Sequence, residues 1–430
     1  MLTTELSNIW SCVSLPSLLA SERELFDAHM QLRSNQPEGP DFLGFLGQPE
    51  QYTARSVHAV RKAADAIQSM ADTLVVLGNC GAVRGARGGI ELLMGKDRNL
   101  RGGLPRVLFA GDHLSGRSWL HLCELLDGHD FCLHLVCPDK GDPALFIAAR
   151  SVRWMLERRY GKDAKNHIFI SAPAESAMAV MAREEGYTFL SLPSHPGSSQ
   201  SALTGAALLP MTVCGIDPLT VLEGAADGYH ALDLRSFENP AWLYAGARYV
   251  LSGKGRTTEL LCSAEPALGA FGDWWRWLNL HASCRDGAGI LPVFASYPSE
   301  LGVYDAMLTT GRTSIFETLL RFPPESQKVH VEMDWKDYDG LGYLDDCTVG
   351  DVQEAFYDAL IQSHDDASTP MIQIACEPVS TYGLGELFYF FELSAALSAA
   401  MCGVDPFDFP ASLPTQAAME QALGKPETAE

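Results

Sequence analysis

A glycine-rich segment is the part of the sequence whose residue types and spacing best suit ligand binding. The segment Gly78–Gly85 reads GNCGAVRG, follows the apolar run Thr73–Leu77 and precedes a helical pattern. Backbone N–H groups at such a strand-to-helix turn can surround an anion. The spacing departs from the G-x-G-x-x-G pattern of dinucleotide-binding proteins, and no acidic residue stands about 20 positions later to bind a ribose. We therefore expect a tight turn with ligand contact and no nucleotide cofactor.

The sequence lacks the motifs of several common catalytic sites. The patterns G-x-x-x-x-G-K-[ST], H-E-x-x-H and G-x-S-x-G are absent, and the twelve histidines show no metal-ligand spacing. We therefore expect neither a metal nor another cofactor. These motifs alone predict an α/β protein with a pocket built from loops.

Short apolar runs that alternate with helical patterns predict the elements that position those loops. The expected strands are Thr73–Leu77, Arg106–Ala110, Cys132–Val136, His167–Ile170, Leu260–Cys262, Ile290–Phe294, Val329–Val331 and Met371–Ile374. Because these runs show no alternation of polar and apolar residues, we expect parallel sheets covered on both faces. Ligands bind such sheets beyond the carboxyl ends of the strands. The loops after the first three strands are therefore candidate site loops.

Composition narrows the class of protein. The chain has 430 residues, 47% of them hydrophobic, and a formal net charge of −23. Nucleic acids and anionic membranes attract clustered Lys and Arg, so neither is an expected partner. The 11 cysteines form no C-x-x-C pair, which favours reduced thiols in the cytoplasm. The apolar stretch from Leu387 to Val404 contains Glu392 and is interpreted as a buried helix rather than a membrane span.

These patterns predict an α/β protein with two doubly wound subdomains. We expect a helical N-terminal arm over residues 1–55, a first α/β subdomain over 56–198, a second over 199–410 and a C-terminal tail over 411–430.

An ordered series of blocks resembles phosphoglucose isomerase of the bacterial type. Residues 72–87 resemble the family's strand followed by GIGGS-x-x-GAR, and Phe109–Phe131 resembles its GNNLS block. Residues 201–217 resemble its FSVLT, GLLP and GID blocks. Further blocks follow in the family's order: Asn239–Ala241, Gly253–Thr257, Glu265–Leu268, Trp274–Trp275, Ile315–Thr318, Leu341–Leu344, Phe390–Glu392, Gly403–Asp408 and Leu423–Pro426.

The resemblance implies two sugar-isomerase (SIS)-type subdomains and a homodimer with the active site near the subunit interface. The family interconverts glucose 6-phosphate and fructose 6-phosphate through a cis-enediol or enediolate without metal. In that reaction a Glu moves the proton between C1 and C2, and a His helps to open the ring. Arg and Lys stabilise developing charge, and Ser/Thr loops bind the phosphate.

Most residues that the resemblance assigns to the site are replaced in this chain. The family's phosphate loop SKSGTT falls on Cys137, Pro138, Asp139, Lys140, Gly141 and Asp142, and its GGR segment falls on Gly197, Ser198 and Ser199. The GIGGS segment keeps Gly78 and Gly81 but ends in Ala82. The catalytic Glu aligns with His281, the ring-opening His aligns near Gly302, and a glutamine becomes Phe409. The C-terminal lysine is kept as Lys425.

Two interpretations follow from these replacements. In one, the protein is a diverged isomerase, for example of a non-phosphorylated sugar, in which His281 is the base and Lys425 stabilises the enediolate. In the other, the fold and a sugar or sugar-phosphate site persist, but classical isomerisation is weak or absent and the protein is a sugar-binding or regulatory relative. The carboxylates of Asp139 and Asp142 would repel a phosphate dianion, and Lys140 would offset part of that repulsion. The altered loop is therefore expected either to prefer neutral or cationic groups, such as an unphosphorylated or amino sugar, or to bind no ligand.

Overall fold

The strands of the protein lie in two separate five-stranded sheets. The computed structural model describes residues 2–34, 54–138, 143–193, 199–284, 289–310, 314–325, 327–407 and 414–425. The strands are Thr3–Asn8 (β1), Thr73–Leu77 (β2), Arg106–Ala110 (β3), Phe131–Val136 (β4), Ile168–Pro173 (β5), Thr188–Leu192 (β6), Thr258–Ser263 (β7), Leu291–Ser296 (β8), Ile315–Arg321 (β9) and Met371–Ala375 (β10).

Helices connect and cover these strands. Their bounds are Leu15–Leu19 (α1), Glu22–Ser34 (α2), Ala54–Met70 (α3), Gly81–Met94 (α4), Gly116–Leu126 (α5), Pro143–Tyr160 (α6), Ala177–Glu185 (α7), Gly205–Val213 (α8), Pro218–Ala231 (α9), Pro240–Gly253 (α10), Gly269–Ser283 (α11), Leu301–Leu308 (α12), Val349–Asp366 (α13), Thr381–Met401 (α14) and Pro414–Ala422 (α15).

The first sheet is fully parallel, with the order β3-β2-β4-β5-β6. Every residue of β2 and β4 is buried, which explains why these strands read as continuous apolar runs. The prediction of parallel α/β architecture is confirmed. Strand β6 was not predicted, because Thr188 and Ser191 face solvent and make the segment look polar.

The second sheet has the order β1-β10-β9-β7-β8 and is parallel except for β1, which pairs antiparallel with β10. The structure differs here from the predicted helical arm, because Thr3–Asn8 is a strand. Its short polar sequence TTELSN pairs with a strand at the far end of the chain, and such pairing leaves no local signal. Strand β9 was also not predicted. The predicted strand Val329–Val331 is wrong, since only an isolated bridge from His330 to Thr348 is formed there.

Two close helix crossings join the parts of the molecule that carry the candidate site. Helix α4 crosses α11 at Gly88, where a Cβ atom would lie 2.9 Å from the Cα of Phe271. Helix α9 crosses α14 at Gly224, where a Cβ atom would lie 2.0 Å from the carbonyl oxygen of Tyr382. Only glycine permits these two approaches without movement of the backbone.

Helix α14 is the buried helix that the sequence predicts. By length and composition it is the one described helix apolar enough to cross a membrane, and 94% of its most apolar window is buried inside the protein. Its aromatic residues contribute to a core cluster that includes residues from both sheets. Trp274 and Trp275 of α11 are fully buried in the same cluster.

Candidate functional site

The carboxyl ends of β2, β3 and β4 meet, as the sequence analysis expects. The N–H of Gly78 donates a hydrogen bond to the Ala110 carbonyl at 3.2 Å. A Cβ atom on Gly78 would lie 2.6 Å from a Val83 methyl group and 3.0 Å from the Val136 carbonyl oxygen. Cys137 is buried at the end of β4, and its N–H donates to the Ser171 carbonyl at 2.9 Å. The first residues of the candidate loops therefore lie side by side.

Helix α4 begins at this edge of the sheet. Its N-cap residue Cys80 is extended, and the thiol makes no capping hydrogen bond to the helix. Gly81 and Ala82 occupy the first buried turn. The first N–H groups of a helix have no partner within the helix and carry partial positive charge. This geometry is the one that the glycine-rich segment predicts.

A cluster of polar and aromatic side chains lies between α4 and α11. The Arg84 guanidinium donates to Asn79 Oδ1 at 3.0 Å and to Asp273 Oδ2 at 3.1 Å. Its Cζ atom lies 4.4 Å from the centre of the Trp277 ring. The imidazole of His281 lies 4.1 Å from Trp277, centre to centre, at an interplanar angle of 31°. The structure therefore links His281 to the glycine-rich segment through Trp277 and Arg84.

Asp273 is shared by two arginines. One of its oxygens accepts from Arg84, and the other accepts from Arg276 Nη2 at 2.6 Å. Two guanidinium groups and one carboxylate give this cluster a net positive charge.

The segment that carries Ser199 packs against the same end of α4. A Cβ atom on Gly85 would lie 2.8 Å from the Ala202 Cβ and 3.3 Å from Trp274 Nε1. Ser199 and Gln200 are buried, and the Ser199 hydroxyl donates to the Gln200 side-chain oxygen. The Ala202 N–H donates to Glu392 Oε1 at 3.0 Å. Burial raises the pKa of Glu392 to about 8 although this hydrogen bond lowers it.

Lys425 lies apart from this cluster. Its ammonium pairs with Glu420 Oε2 at 2.5 Å, and its side chain is 56% exposed. Helix α15, which precedes it, has no buried residue.

Several predicted site residues lie outside the described part of the chain, namely Asp139, Lys140, Gly141, Asp142, Gly197, Ser198 and Phe409. Gly302, near which the family's ring-opening His aligns, lies in the first turn of α12, with nothing within 4 Å of a Cβ atom built on it.

Residues of the cluster that the sequence analysis missed are Asn79, Arg84, Asp273 and Trp277. Arg84 could have been found, because it is a cation inside the glycine-rich segment. Trp277 and His281 are four residues apart and therefore share one face of a helix. No pattern in the sequence predicted that this face of α11 contacts α4. Among the described residues, no group of three or more His, Cys, Asp or Glu side chains is arranged to hold a metal ion.

Curated relatives decide the family. A protein from Bacillus cytotoxicus named glucose-6-phosphate isomerase is 33% identical over 406 residues, which cover 93% of this chain and 90% of that protein. One from Bacillus cereus with the same name is 33% identical over 408 residues, with the same coverage. The chain belongs to the glucose-6-phosphate isomerase family. The resemblance seen in the sequence is thereby confirmed, although no protein-family model matches the chain.

Solved structures show the fold of this family member. A glucose-6-phosphate isomerase from Chlamydia trachomatis aligns with a TM-score of 0.79 at 12% identity, covering 98% of this chain and 88% of that one. A hypothetical protein from Thermus thermophilus aligns with a TM-score of 0.86 at 19% identity, covering 99% of this chain and 100% of that one. At these identities the likeness shows the fold alone.

Proposed function

We propose that this family member binds a sugar or sugar phosphate at the carboxyl edge of the first sheet and isomerises glucose 6-phosphate weakly or not at all. The observation that carries the proposal is the composition of the cluster around His281. The resemblance assigns the position of the family's Glu base to His281, whose imidazole lies 4.1 Å from the Trp277 ring, centre to centre. The carboxylate in the cluster, Asp273, has its two oxygens occupied by two guanidinium groups.

Other replacements support the same proposal. Ala82 has no hydroxyl to donate, and the Ser199 hydroxyl is occupied by Gln200. The ammonium of Lys425 pairs with Glu420 on an exposed helix end. Loss of one general base alone slows a reaction by about 10²- to 10⁴-fold. The alternative, a diverged isomerase with His281 as base, is supported by the half-buried position of this imidazole beside the glycine-rich segment.

The proposal includes the partners and location implied by the resemblance. We expect a homodimer in the cytoplasm, and the relatives' names indicate a phosphorylated sugar as the ancestral substrate. The sequence of the altered loop favours instead a neutral or amino sugar, because Asp139 and Asp142 would repel a phosphate dianion.

A thermal-shift comparison tests this ligand preference. Glucose and glucosamine should raise the melting temperature more than their 6-phosphates at equal concentration. A ligand at 100 times its Kd adds about 2.7 kcal/mol to the free energy of unfolding. The double variant Asp139→Asn with Asp142→Asn should improve the response to the 6-phosphates. Asp163→Asn, an exposed carboxylate before β5, is the matched control and should change nothing.

Two results would contradict this account. One is a larger shift with the 6-phosphates than with the free sugars, which would overturn the preference for neutral or amino sugars and show that the altered loop still accepts phosphate. The other is no shift with any of the four compounds at millimolar concentration, which would remove the sugar site altogether.

A further inference from the structure

Arg84 is held more firmly than an ordinary surface arginine. Its side chain is 21% exposed, and its two terminal nitrogens are bound to oxygens of Asn79 and Asp273. A planar guanidinium fixed at two points keeps its orientation at a low entropic cost. Arg87, one helical turn later, offers a contrast, since it is 55% exposed and pairs with Glu91 along the helix surface.

Arg84 and His281 contact the same indole ring. The Arg84 Cζ lies 4.4 Å from the centre of Trp277, and the centre of the His281 ring lies 4.1 Å from it. A cation over an indole is stabilised by the negative face of the ring. Protonation of His281 would place a second cation on the ring that already interacts with Arg84. Arg84 therefore disfavours the imidazolium both through its charge and through its use of the ring.

Further titratable and charged groups lie on α11 and on the elements packed against it. They are Asp273 and Arg276 of α11, Arg87 and Glu91 of α4, Glu386 and Glu392 of α14, and Glu265 before the turn at Pro266–Leu268. The buried Arg248 of α10 donates to Asn279 Oδ1 of α11 at 2.8 Å. Strand β8 contributes no charged residue. The charged residues Arg285 and Asp286 follow α11 outside the described part of the chain.

We propose that Arg84 is a positioning residue for His281: through Trp277 it fixes the imidazole ring, and its positive charge opposes protonation of that ring. A neutral imidazole accepts a hydrogen bond from a hydroxyl group, so the site takes an uncharged sugar hydroxyl at this point. This inference rests on the proposed function, because it assigns a role within the same site.

The pKa of His281, measured by NMR in the full-length protein without ligand, tests the inference. His281→Gln identifies the resonance among the twelve histidines. Arg84→Gln removes one positive charge and frees the ring, so the pKa of His281 should rise by about half a unit or more. Arg87→Gln removes the same charge outside the cluster and should leave that pKa within about 0.2 of the parent value. Asp273→Asn removes the opposite charge and should lower it.

The inference predicts pKa shifts of opposite sign for His281 in Arg84→Gln and Asp273→Asn, so each variant can contradict it. An unchanged or lower His281 pKa in Arg84→Gln overturns the inference. If Arg84→Gln does not fold, Asp273→Asn alone decides, and a His281 pKa that is unchanged or higher in this variant overturns the inference. If Arg84 had only a structural role, the pKa of His281 would not rise in Arg84→Gln and fall in Asp273→Asn. Because no sugar is present in this experiment, a failed sugar screen would overturn the proposed function and leave this result intact.

Discussion

Glu392 is a fully buried carboxyl group beside the segment that carries Ser199. One oxygen accepts the Ala202 N–H at 3.0 Å, and the other has no hydrogen-bond partner among the described residues. Removal from water disfavours the charged carboxylate, and burial therefore raises the pKa of Glu392 from 4.5 to about 8. The group is protonated at neutral pH in the folded protein and ionised in the unfolded chain.

This difference predicts a pH-dependent stability. Between pH 4.5 and about 8 the folded state binds one proton more than the unfolded state. The free energy of unfolding therefore falls as pH rises through that window, by up to about 1.4 kcal/mol per pH unit from this group. Glu392→Gln keeps an oxygen for Ala202 but cannot ionise, so it should lose this slope and be more stable than the parent above about pH 8.

Urea unfolding at about pH 5, 7 and 8.5 measures this effect. Glu223→Gln, at an exposed position of α9, is the control and should keep the parent slope. A Glu392→Gln variant with the same slope as the parent would show that Glu392 is ionised in the folded protein.

At the scale of single residues, the sequence indicated which residues belong to the site but not which side chains contact each other. The resemblance to the family assigned His281 to the position of the base, because His281 follows the Trp274–Trp275 pair of α11 as the family's Glu follows its own Trp pair. The contacts of Arg84 with Asp273 and Trp277 join α4 to α11, and Asp273 lies 189 positions after Arg84 in the chain. Contacts across such a separation could not be predicted from local patterns.

At the scale of elements, helix α15 is not packed into the core of the protein. No residue of this helix is buried, and Lys425 follows it with its ammonium paired to Glu420. An exposed ion pair of this kind contributes little to stability, because water screens it and both side chains lose freedom.

Lys425→Ala should therefore have little effect. We expect the free energy of unfolding and the free energy of sugar binding each to change by no more than about 0.5 kcal/mol, the usual size for a surface substitution. Urea unfolding and isothermal titration with the best sugar of the panel measure the two quantities. Lys162→Ala, an exposed lysine before β5, is the matched control. A clear loss of sugar affinity in Lys425→Ala alone would show that the inherited lysine still serves the site.

The elements themselves were predictable where burial produces continuous apolar runs. Strands β2, β4 and β10 were found for this reason. Strand β1 was missed because its identity as a strand depends on a partner at the far end of the chain. The crossing of α4 and α11 depends on one glycine, Gly88, whose role is visible only once Phe271 is in place.

At the scale of the whole molecule, the family's architecture is kept, whereas the resemblance implies that most of the family's catalytic positions carry other residues. Relatives from Bacillus match over nearly the whole chain, and the Chlamydia enzyme shares the fold. The fold requires buried apolar residues and close packing, as at Gly88 and Gly224. Catalysis requires specific functional groups next to the reacting atoms of the substrate. We propose that this chain meets the requirements of folding without meeting those of the family's catalysis.

The central claim is that this chain keeps the family's fold without its ordinary activity. A coupled assay of glucose 6-phosphate isomerisation by the purified full-length protein tests it most directly. Replacement of the Glu base by His281 alone predicts a loss of about 10²- to 10⁴-fold relative to an ordinary isomerase measured side by side. We expect turnover at least that much slower, or none. Turnover within about tenfold of the ordinary isomerase would contradict the account and favour the alternative, a diverged isomerase.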